Sequence, residues 1–337
     1  MLATPFTELL GCRLPLQQAP MGGVTTPELV AAAAGAGAVG MVPAQMLPVD
    51  VLAALLEDLA GRTDGVVGVT FLLPFGADPA CVEVAAAGAR LVDFYYGDPD
   101  PALVARVHDG GALASWQAGS VAEARAAVDA GCDLVAVQGM EGGGRIRGRV
   151  ALLPLLAEVL DAVEVPVVAA GGIAGARGVA ACLAAGASAV RVGTRLLATE
   201  ESGAHPAYVA ALLEAGAEDA VLTDAFSVMW PRGPEPHRTL ASALAAAESF
   251  EGEVVGETRM GATASTCGCT GPTAARRCSR STTARSGPGQ PWRPGAGRSA
   301  PTASKAATIS GSNWRPRSSW IVRCACRTGH ASLYGRG

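Results

Sequence analysis

Lysine is all but missing from this chain: the single one is Lys305, far from any predicted core. Chemistry that needs a buried amine nucleophile, such as a Schiff-base aldolase or a pyridoxal-phosphate enzyme, is thereby excluded. Aromatic residues make up only 4% of the sequence against 50% hydrophobic residues overall, so a core has to be built from Ala, Val and Leu. Long apolar runs are lacking too. Residues 29–44, mostly Ala and Gly, form the longest and fall short of a membrane span. The first ten residues carry no basic stretch and place Glu8 where a secretory signal would be apolar. A soluble, cytoplasmic protein without a membrane partner is the expectation. Cys12, Cys81, Cys132 and Cys182 stand singly among apolar residues, which suits reduced, buried thiols rather than a disulfide framework.

One sign of charge disappears partway along the chain. Residues 1–261 hold all 30 acidic and 14 of the 26 basic residues, a net of −16, whereas residues 262–337 hold 12 basic and no acidic ones, a net of +12. The second part is Arg, Ser, Thr, Gly, Pro and Ala without sustained periodicity, and disorder is expected there. It reads either as a basic tail for nucleic acid or acidic lipid, or as the product of a shifted coding frame. The scattered arginines, with no aromatic-basic motif beside them, favour the second, so no nucleic-acid partner is expected. Cys267 with Cys269, and Cys324 with Cys326, have one-residue spacing and no matching histidines, so no metal site is expected.

What is present, over the first 200 residues, is an alternation. Short apolar runs at 14–21, 38–43, 66–73, 91–96, 112–117, 134–138, 166–170 and 189–192 are candidate strands. Segments with helical periodicity fall between them, at 27–34, 49–59, 79–87, 101–108, 121–130, 150–162 and 175–185. Start signals precede several of these, among them Thr26-Pro27, Asp100-Pro101, and Ser120 with Glu123 as a capping box. Glycines 37, 88, 131 and 186, each just before a strand, suit left-handed helix ends. Eight such units in a row predict an α/β fold, a (β/α)8 TIM barrel over residues 1–200, with a doubly wound open sheet as the alternative. A C-terminal helical extension follows over 201–261. In it, residues 220–229 read as a further strand or extended crossing, and 239–250 as a last helix.

A parallel barrel carries its chemistry at the C-terminal ends of its strands. The loop from Gln138 to Gly148 follows one such end; Gly142, Gly143 and Gly144 permit close backbone approach, and Arg145 and Arg147 suggest an anionic ligand. Gly171 and Gly172, and Gly193 and Thr194, follow the last two strands, where barrels of this kind hold a phosphate on backbone amides. Glu141 is an alternative base beside the glycines. His108 falls in a helix and is expected to be exposed, and His205, just past the eighth strand before Pro206, and His237, in the proline-rich segment, are weaker candidates. Asp93, Tyr95 and Tyr96 at the fourth strand are of more interest, though their phase relative to the barrel interior is not legible.

Four ordered stretches carry a resemblance to a known family: Gln-Ala-Pro-Met-Gly-Gly-Val-Thr-Thr-Pro-Glu-Leu at 18–29, Gln-Gly-Met-Glu-Gly-Gly-Gly-Arg at 138–145, Val-Pro-Val-Val-Ala-Ala-Gly-Gly-Ile-Ala at 165–174 and Val-Gly-Thr-Arg-Leu-Leu-Ala-Thr-Glu-Glu-Ser at 192–202. Together they resemble the nitronate monooxygenases, also called 2-nitropropane dioxygenase-like proteins, which are related to the flavin-dependent enoyl-acyl-carrier-protein reductases. The resemblance runs from about Leu9 to about Gly256. It implies a TIM barrel that binds FMN and oxidises a small substrate, with oxygen or an organic acceptor taking the electrons. Met21, Gly22, Gln138, Gly143 and Gly144 would lie against the flavin, and Gly171, Gly172, Gly193 and Thr194 would hold its phosphate.

Two positions depart from the family pattern. Thr70 stands where the family usually has Asn. Arg145 stands where the family has its proposed catalytic histidine, and arginine cannot act as a base at neutral pH. Arg145 then either places a positive charge near the flavin or is a solvated residue on a mobile loop. Competing readings of the whole are an NAD(P)H-dependent quinone or enoyl reductase and a non-catalytic flavin-binding relative.

Overall fold

The computed structural model describes residues 2–226, 230 and 235–249, together with the backbone of a strand pair formed by Gly256–Thr258 and Val322–Cys324. Apart from those last three residues, the basic segment 262–337, and with it the expectation of disorder, lies outside the described residues.

Eight parallel strands close into a barrel. In chain order the strands are β1 (Leu16–Gln18), β2 (Val39–Pro43), β3 (Val66–Leu72), β4 (Leu91–Tyr95), β5 (Leu113–Ala118), β6 (Leu134–Gln138), a two-residue β7 (Gly144–Arg145) outside the barrel, β8 (Val167–Ala170) and β9 (Ala189–Val192). The barrel runs β1-β2-β3-β4-β5-β6-β8-β9, and β9 pairs back onto β1 with Gln17 opposite Arg191. The TIM barrel expected from the sequence is therefore the observed fold. The first strand is shorter than its apolar run, because Pro15 and Pro20 on either side have no N–H to give a ladder.

The helices are α1 (Pro5–Leu10) before the barrel, then α2 (Pro27–Gly35), α3 (Val49–Arg62), α4 (Pro79–Gly88), α5 (Pro101–Asp109), α6 (Val121–Asp129), α7 (Leu152–Leu160), α8 (Ala176–Ala184), α9 (Pro206–Glu214) and α10 (Ala241–Glu248). Thr26, Asp100 and Ser120 cap their helices through side-chain oxygens, as the sequence signals, and Asp78 does the same for α4. The capping box at Ser120 is only half formed: Glu123 turns its carboxylate to the Gly119 amide instead of to the Ser120 amide. Of the four helix-end glycines, Gly37, Gly131 and Gly186 have positive φ, while Gly88 ends α4 without it.

Alternation along each strand separates two cores. Outward residues such as Val69, Phe94, Trp116, Val135 and Val190 pack under the helices against Leu52, Val82, Val107 and Leu155. Phe71, Phe94 and Trp116 lie side by side there, with ring centroids 5.9 and 5.0 Å apart. The inward residues that open the strands, Val39, Leu91, Leu134 and Ala189, form a separate cluster with Phe6 and Leu10 of α1. Helix α1 thus plugs the N-terminal end of the barrel and leaves the other end as the mouth. The four cysteines before the tail are buried and unpaired, and no helix among the described residues is long and apolar enough to cross a membrane.

Beyond β9 the chain forms a short 3-10 turn, Thr194–Ala198, then α9, then β10 (Ala220–Thr223) and β11 (His237–Leu240). Of the extended crossing expected at 220–229, residues 220–223 form β10 and residues 227–229 lie outside the described residues. Of the helix expected at 239–250, residues 241–248 form α10, Thr239 and Leu240 belong to β11, and residue 250 lies outside the described residues. Strand β11 lies between β10 and β7 in a small antiparallel sheet, which ties the C-terminal segment to the loop after β6.

Since Phe6 is fully buried in the plug, Phe6→Ala is expected to cost about 3–5 kcal/mol. Urea unfolding measures this as a lowered midpoint with an unchanged slope.

Candidate active site at the barrel mouth

The loop 138–148 is the centre of the mouth, and it is not mobile glycine chain. Its Gly144 and Arg145 are strand β7, paired with Arg238 and His237 of β11. The Ile146 amide donates to the Pro236 carbonyl at 3.1 Å. Two arginines clasp the loop and the sheet from opposite sides. Arg238 donates to the Met140 carbonyl at 3.0 and 3.2 Å. Arg145 donates to the carbonyls of Phe226 at 2.7 Å and Glu235 at 3.1 Å. The Arg145 guanidinium also lies over the Trp230 ring, 4.7 Å from its centroid.

The expectation of Arg145 as a solvated residue on a mobile loop is therefore corrected: its charge is taken up by carbonyls and an aromatic face. Arg147, the second arginine read as an anion partner, is held at 2.9 Å by both Asp98 and Glu123. Glu141 also has a local partner: its two carboxylate oxygens accept from the Leu152 amide at 3.1 and 3.0 Å, serving an α7 whose N-cap Ala151 offers no side-chain oxygen.

Close backbone approach brings the predicted glycines together. A Cβ on Gly143 would lie 2.6 Å from Thr194 Oγ1, so the loop after β6 touches the exit of β9. A Cβ on Gly193 would meet Ala19 at 3.2 Å and Met21 Sδ at 3.6 Å, which places the exit of β1 beside it. Gly171 and Gly172 have φ of +110° and +67°, and a Cβ on Gly171 would crowd the Gly139 carbonyl and the Gly142 amide at 3.1 Å. Gly22 neighbours Gln45, from the loop after β2. Of the residues named from the sequence, Met21, Gly22, Gln138, Gly143, Gly144, Gly171, Gly172, Gly193 and Thr194 thus line one mouth. Gly22, Gly143, Gly172 and Thr194 are exposed there and Gln138 is buried.

Thr70 sits lower. Its hydroxyl donates at 3.1 Å to Asp93, inside the barrel. Asp93 also accepts from Ser115 at 2.8 Å and pairs with Arg191 at 3.0 Å. Arg191 in turn donates to Gln17 at 2.7 Å and to Gln117. Sequence reasoning missed Arg191, although the register pairing it with Gln17 across the barrel closure needed only the strand phase.

Above this layer, Tyr95 donates its hydroxyl to Gln138 Oε1, and Gln138 Nε2 donates to the Arg145 carbonyl at 3.3 Å. Burial holds the Tyr95 pKa well above its ordinary value, so Tyr95 is a proton donor and not a phenolate at neutral pH. Tyr96 has φ of +68°, a strained conformation for a non-glycine residue. That turn carries its ring out of strand alternation and edge-on to Trp230, 4.7 Å between centroids. The remaining histidines have structural surroundings. His108 pairs with Asp133 at 2.9 Å on the outside, and His205 accepts from the Ala207 amide as the N-cap of α9.

Glycine backbone from four strand ends is gathered at the barrel mouth over a buried polar layer, at the end where parallel barrels carry their sites. A family model described as nitronate monooxygenase matches residues 3–81 and 77–255. The chain belongs to that family. It is 37% identical over 247 residues to a Mycobacterium tuberculosis (3aS,4S,5R,7aS)-5-hydroxy-7a-methyl-1-oxo-octahydro-1H-indene-4-carboxyl-CoA dehydrogenase, covering 72% of this chain and 67% of the relative. A probable nitronate monooxygenase of Bacillus subtilis is 30% identical, over 68% of this chain and 78% of the relative. Among solved structures, FabK from Thermotoga maritima aligns with a TM-score of 0.66 at 32% identity, over 74% of this chain and 79% of that one. Nitroalkane oxidase from Streptomyces ansochromogenes aligns with a TM-score of 0.63 at 34% identity, over 70% and 79%. The family is one of flavin-dependent oxidoreductases, and these relatives make the chain an enzyme of that kind rather than a non-catalytic relative.

His237 supplies a test of the clasp. Burial, and secondarily the Arg145 charge, push its pKa down from 6.5 to about 4. The folded state therefore resists a proton that the unfolded chain accepts, so stability is lost as pH falls from 6.5 towards 4. Between about pH 7.5 and about pH 5, the wild type should lose about 2 kcal/mol more than His237→Gln. Urea titrations of both proteins at the two pH values measure the difference.

Proposed function

We propose that the mouth binds FMN and that the enzyme oxidises a small organic substrate, passing electrons to oxygen or an organic acceptor. The observation that carries this reading is the convergence of Gly143, Gly193, Thr194 and Met21, which gives a cradle that added Cβ atoms would fill. Gly171, Gly172, Gly193 and Thr194 would hold the phosphate on backbone amides. Met21, Gly22, Gly143 and Gly144 would lie along the ring, with Gln138 as its hydrogen-bonding side chain and Thr70 beneath it. When bound, the flavin supplies two-electron chemistry.

The protein's own part in substrate activation is limited by Arg145. It is no base, and its guanidinium is engaged by Phe226, Glu235 and Trp230. Residue 145 therefore removes no α-proton from a neutral nitroalkane. A substrate already ionised, such as a nitronate, needs no such base. Glu141, the carboxylate named as an alternative base, accepts from the first turn of α7 instead.

A second reading is favoured by a separate observation. The Mycobacterium tuberculosis relative, and one from Rhodococcus jostii at 34% identity, are both named as dehydrogenases of a carboxyl-CoA compound. On that reading the substrate is an acyl-CoA thioester. A third, an NAD(P)H-dependent quinone or enoyl reductase, also needs no base at residue 145.

Visible absorption of the purified protein tests cofactor binding, with one FMN per chain expected. Anaerobic bleaching then separates the readings. Bleaching by a nitronate, but not by the parent nitroalkane at the same pH, is the expected outcome. Bleaching by an acyl-CoA or by NAD(P)H alone would replace the first reading with the second or third.

A further inference from the structure

Among the described residues, three buried side-chain polar atoms have neither a hydrogen bond nor an ion pair: Tyr96 Oη, Trp230 Nε1 and His237 Nδ1. All three lie in one cluster with Arg145. The Arg145 guanidinium is 4.7 Å from the Trp230 ring centroid, Trp230 and Tyr96 meet edge-on with centroids 4.7 Å apart, and His237 stands opposite Arg145 in β11. A buried donor without an acceptor costs free energy, and native folds keep few of them. The phenol and the indole N–H are donors, whereas His237 Nδ1 donates or accepts according to its tautomer.

Tyr96 carries a second cost. It directly follows β4, where strand alternation would turn its ring outward as it does that of Phe94. Its φ of +68° instead swings the ring onto Trp230, at the price of backbone strain. Burial holds the hydroxyl above its ordinary pKa, so it keeps the proton it could donate. Strain and an unmet donor thus fall on one residue at the C-terminal end of a barrel strand, where such barrels place their chemistry.

The cluster adjoins the mouth through Tyr95, whose ring is 4.5 Å from that of Tyr96 and whose hydroxyl donates to Gln138. In the closed strand order, β3 and β4 stand half-way round the barrel from β8 and β9. Tyr96 after β4, with Phe75 after β3 packed on Trp230, is therefore across the mouth from Gly172 and Gly193. Of the charges that bear on Tyr96, Arg145 and Arg147 oppose Glu235 and Glu123. That balance suits a neutral or singly charged oxygen over a phosphate dianion.

We propose that Tyr96 Oη and Trp230 Nε1 are substrate-binding donors, forming a subsite for the acceptor oxygens of a nitro, carboxylate or thioester group. The proposal rests on the flavin-enzyme reading above and names the group its substrate presents. Both donors are unmet in the free protein, and the substrate's oxygens meet them.

Tyr96→Phe removes the hydroxyl and keeps the ring. The probes are nitrite, acetate and acetyl-CoA, titrated into the holoenzyme by calorimetry, with thermal melting of the ligand-free protein alongside. The expected result is affinity about 10-fold weaker for at least one probe. The melting temperature should equal or exceed that of the wild type, because the hydroxyl removed had no partner to lose. The probe most affected identifies the group: nitrite a nitro compound, acetate a carboxylate, acetyl-CoA a thioester. Trp230→Phe should weaken the same probe, and serves if Tyr96→Phe does not fold. Unchanged affinity for all three probes overturns the subsite. So does a lowered melting temperature, which would mean that the hydroxyl already meets an internal water. A wild-type protein that binds no FMN overturns the cofactor reading instead; if such a protein still loses a probe on Tyr96→Phe, the subsite stands without it.

Discussion

An arginine and an aspartate face each other inside this barrel, and the polar half of the interior is arranged around them. Removing two such charges from water costs several kcal/mol for each ion, which is recovered only when the geometry is good and the remaining donors and acceptors are satisfied. Here that task falls to residues from five strands: Gln17 of β1, Thr70 of β3, Asp93 of β4, Ser115 and Gln117 of β5, and Arg191 of β9. A slip of one residue in any strand would send its member to the opposite face and strand a charge. The pair therefore penalises wrong registers strongly, including that across the closure, where Gln17 stands opposite Arg191. Below it, the apolar plug of Phe6 and Leu10 closes the barrel. Above it, Tyr95 donates to Gln138 at the foot of the mouth.

The architecture was legible because it depends on local periodicity. Eight apolar runs alternate with helical segments, and short caps mark where each helix begins. The glycines of the mouth were legible for a related reason, since a backbone that must approach another chain leaves no choice of side chain. What was not legible is strand phase. Barrel strands are buried on both faces, so Asp93, Phe94 and Tyr95 read alike until the structure sets Asp93 and Tyr95 inward and Phe94 under the helices. Arg191 was hidden by the same ambiguity. The left-handed turn at Tyr96 was invisible as well, because nothing in the residue type announces it. Strand β7 has two residues and pairs with a segment some ninety positions later, so no local pattern could reveal it.

That long-range pairing explains how one position in the loop can change its work without disturbing the loop's path. The backbone at residue 145 is fixed by β11, and the glycines before it are fixed by Thr194 and the exit of β8. The side chain at 145 is then the variable part. A guanidinium reaches the carbonyls of Phe226 and Glu235 and the face of Trp230, and so makes this position part of the clasp. The Arg145 carbonyl remains where it was needed, accepting from Gln138.

The consequence for chemistry follows from what is left at the mouth. The residues there are backbone amides, a Gln138 amide oriented by Tyr95, and a tyrosine held protonated by burial. All of these donate hydrogen bonds, and none of them is a base. These donors favour negative charge on what the mouth binds, and the carboxylate beside them, Glu141, accepts from the Leu152 amide. On the function proposed above, the mouth suits a substrate that arrives electron-rich, or one whose proton leaves through its own acidity, over a neutral substrate whose reaction begins with proton abstraction at residue 145.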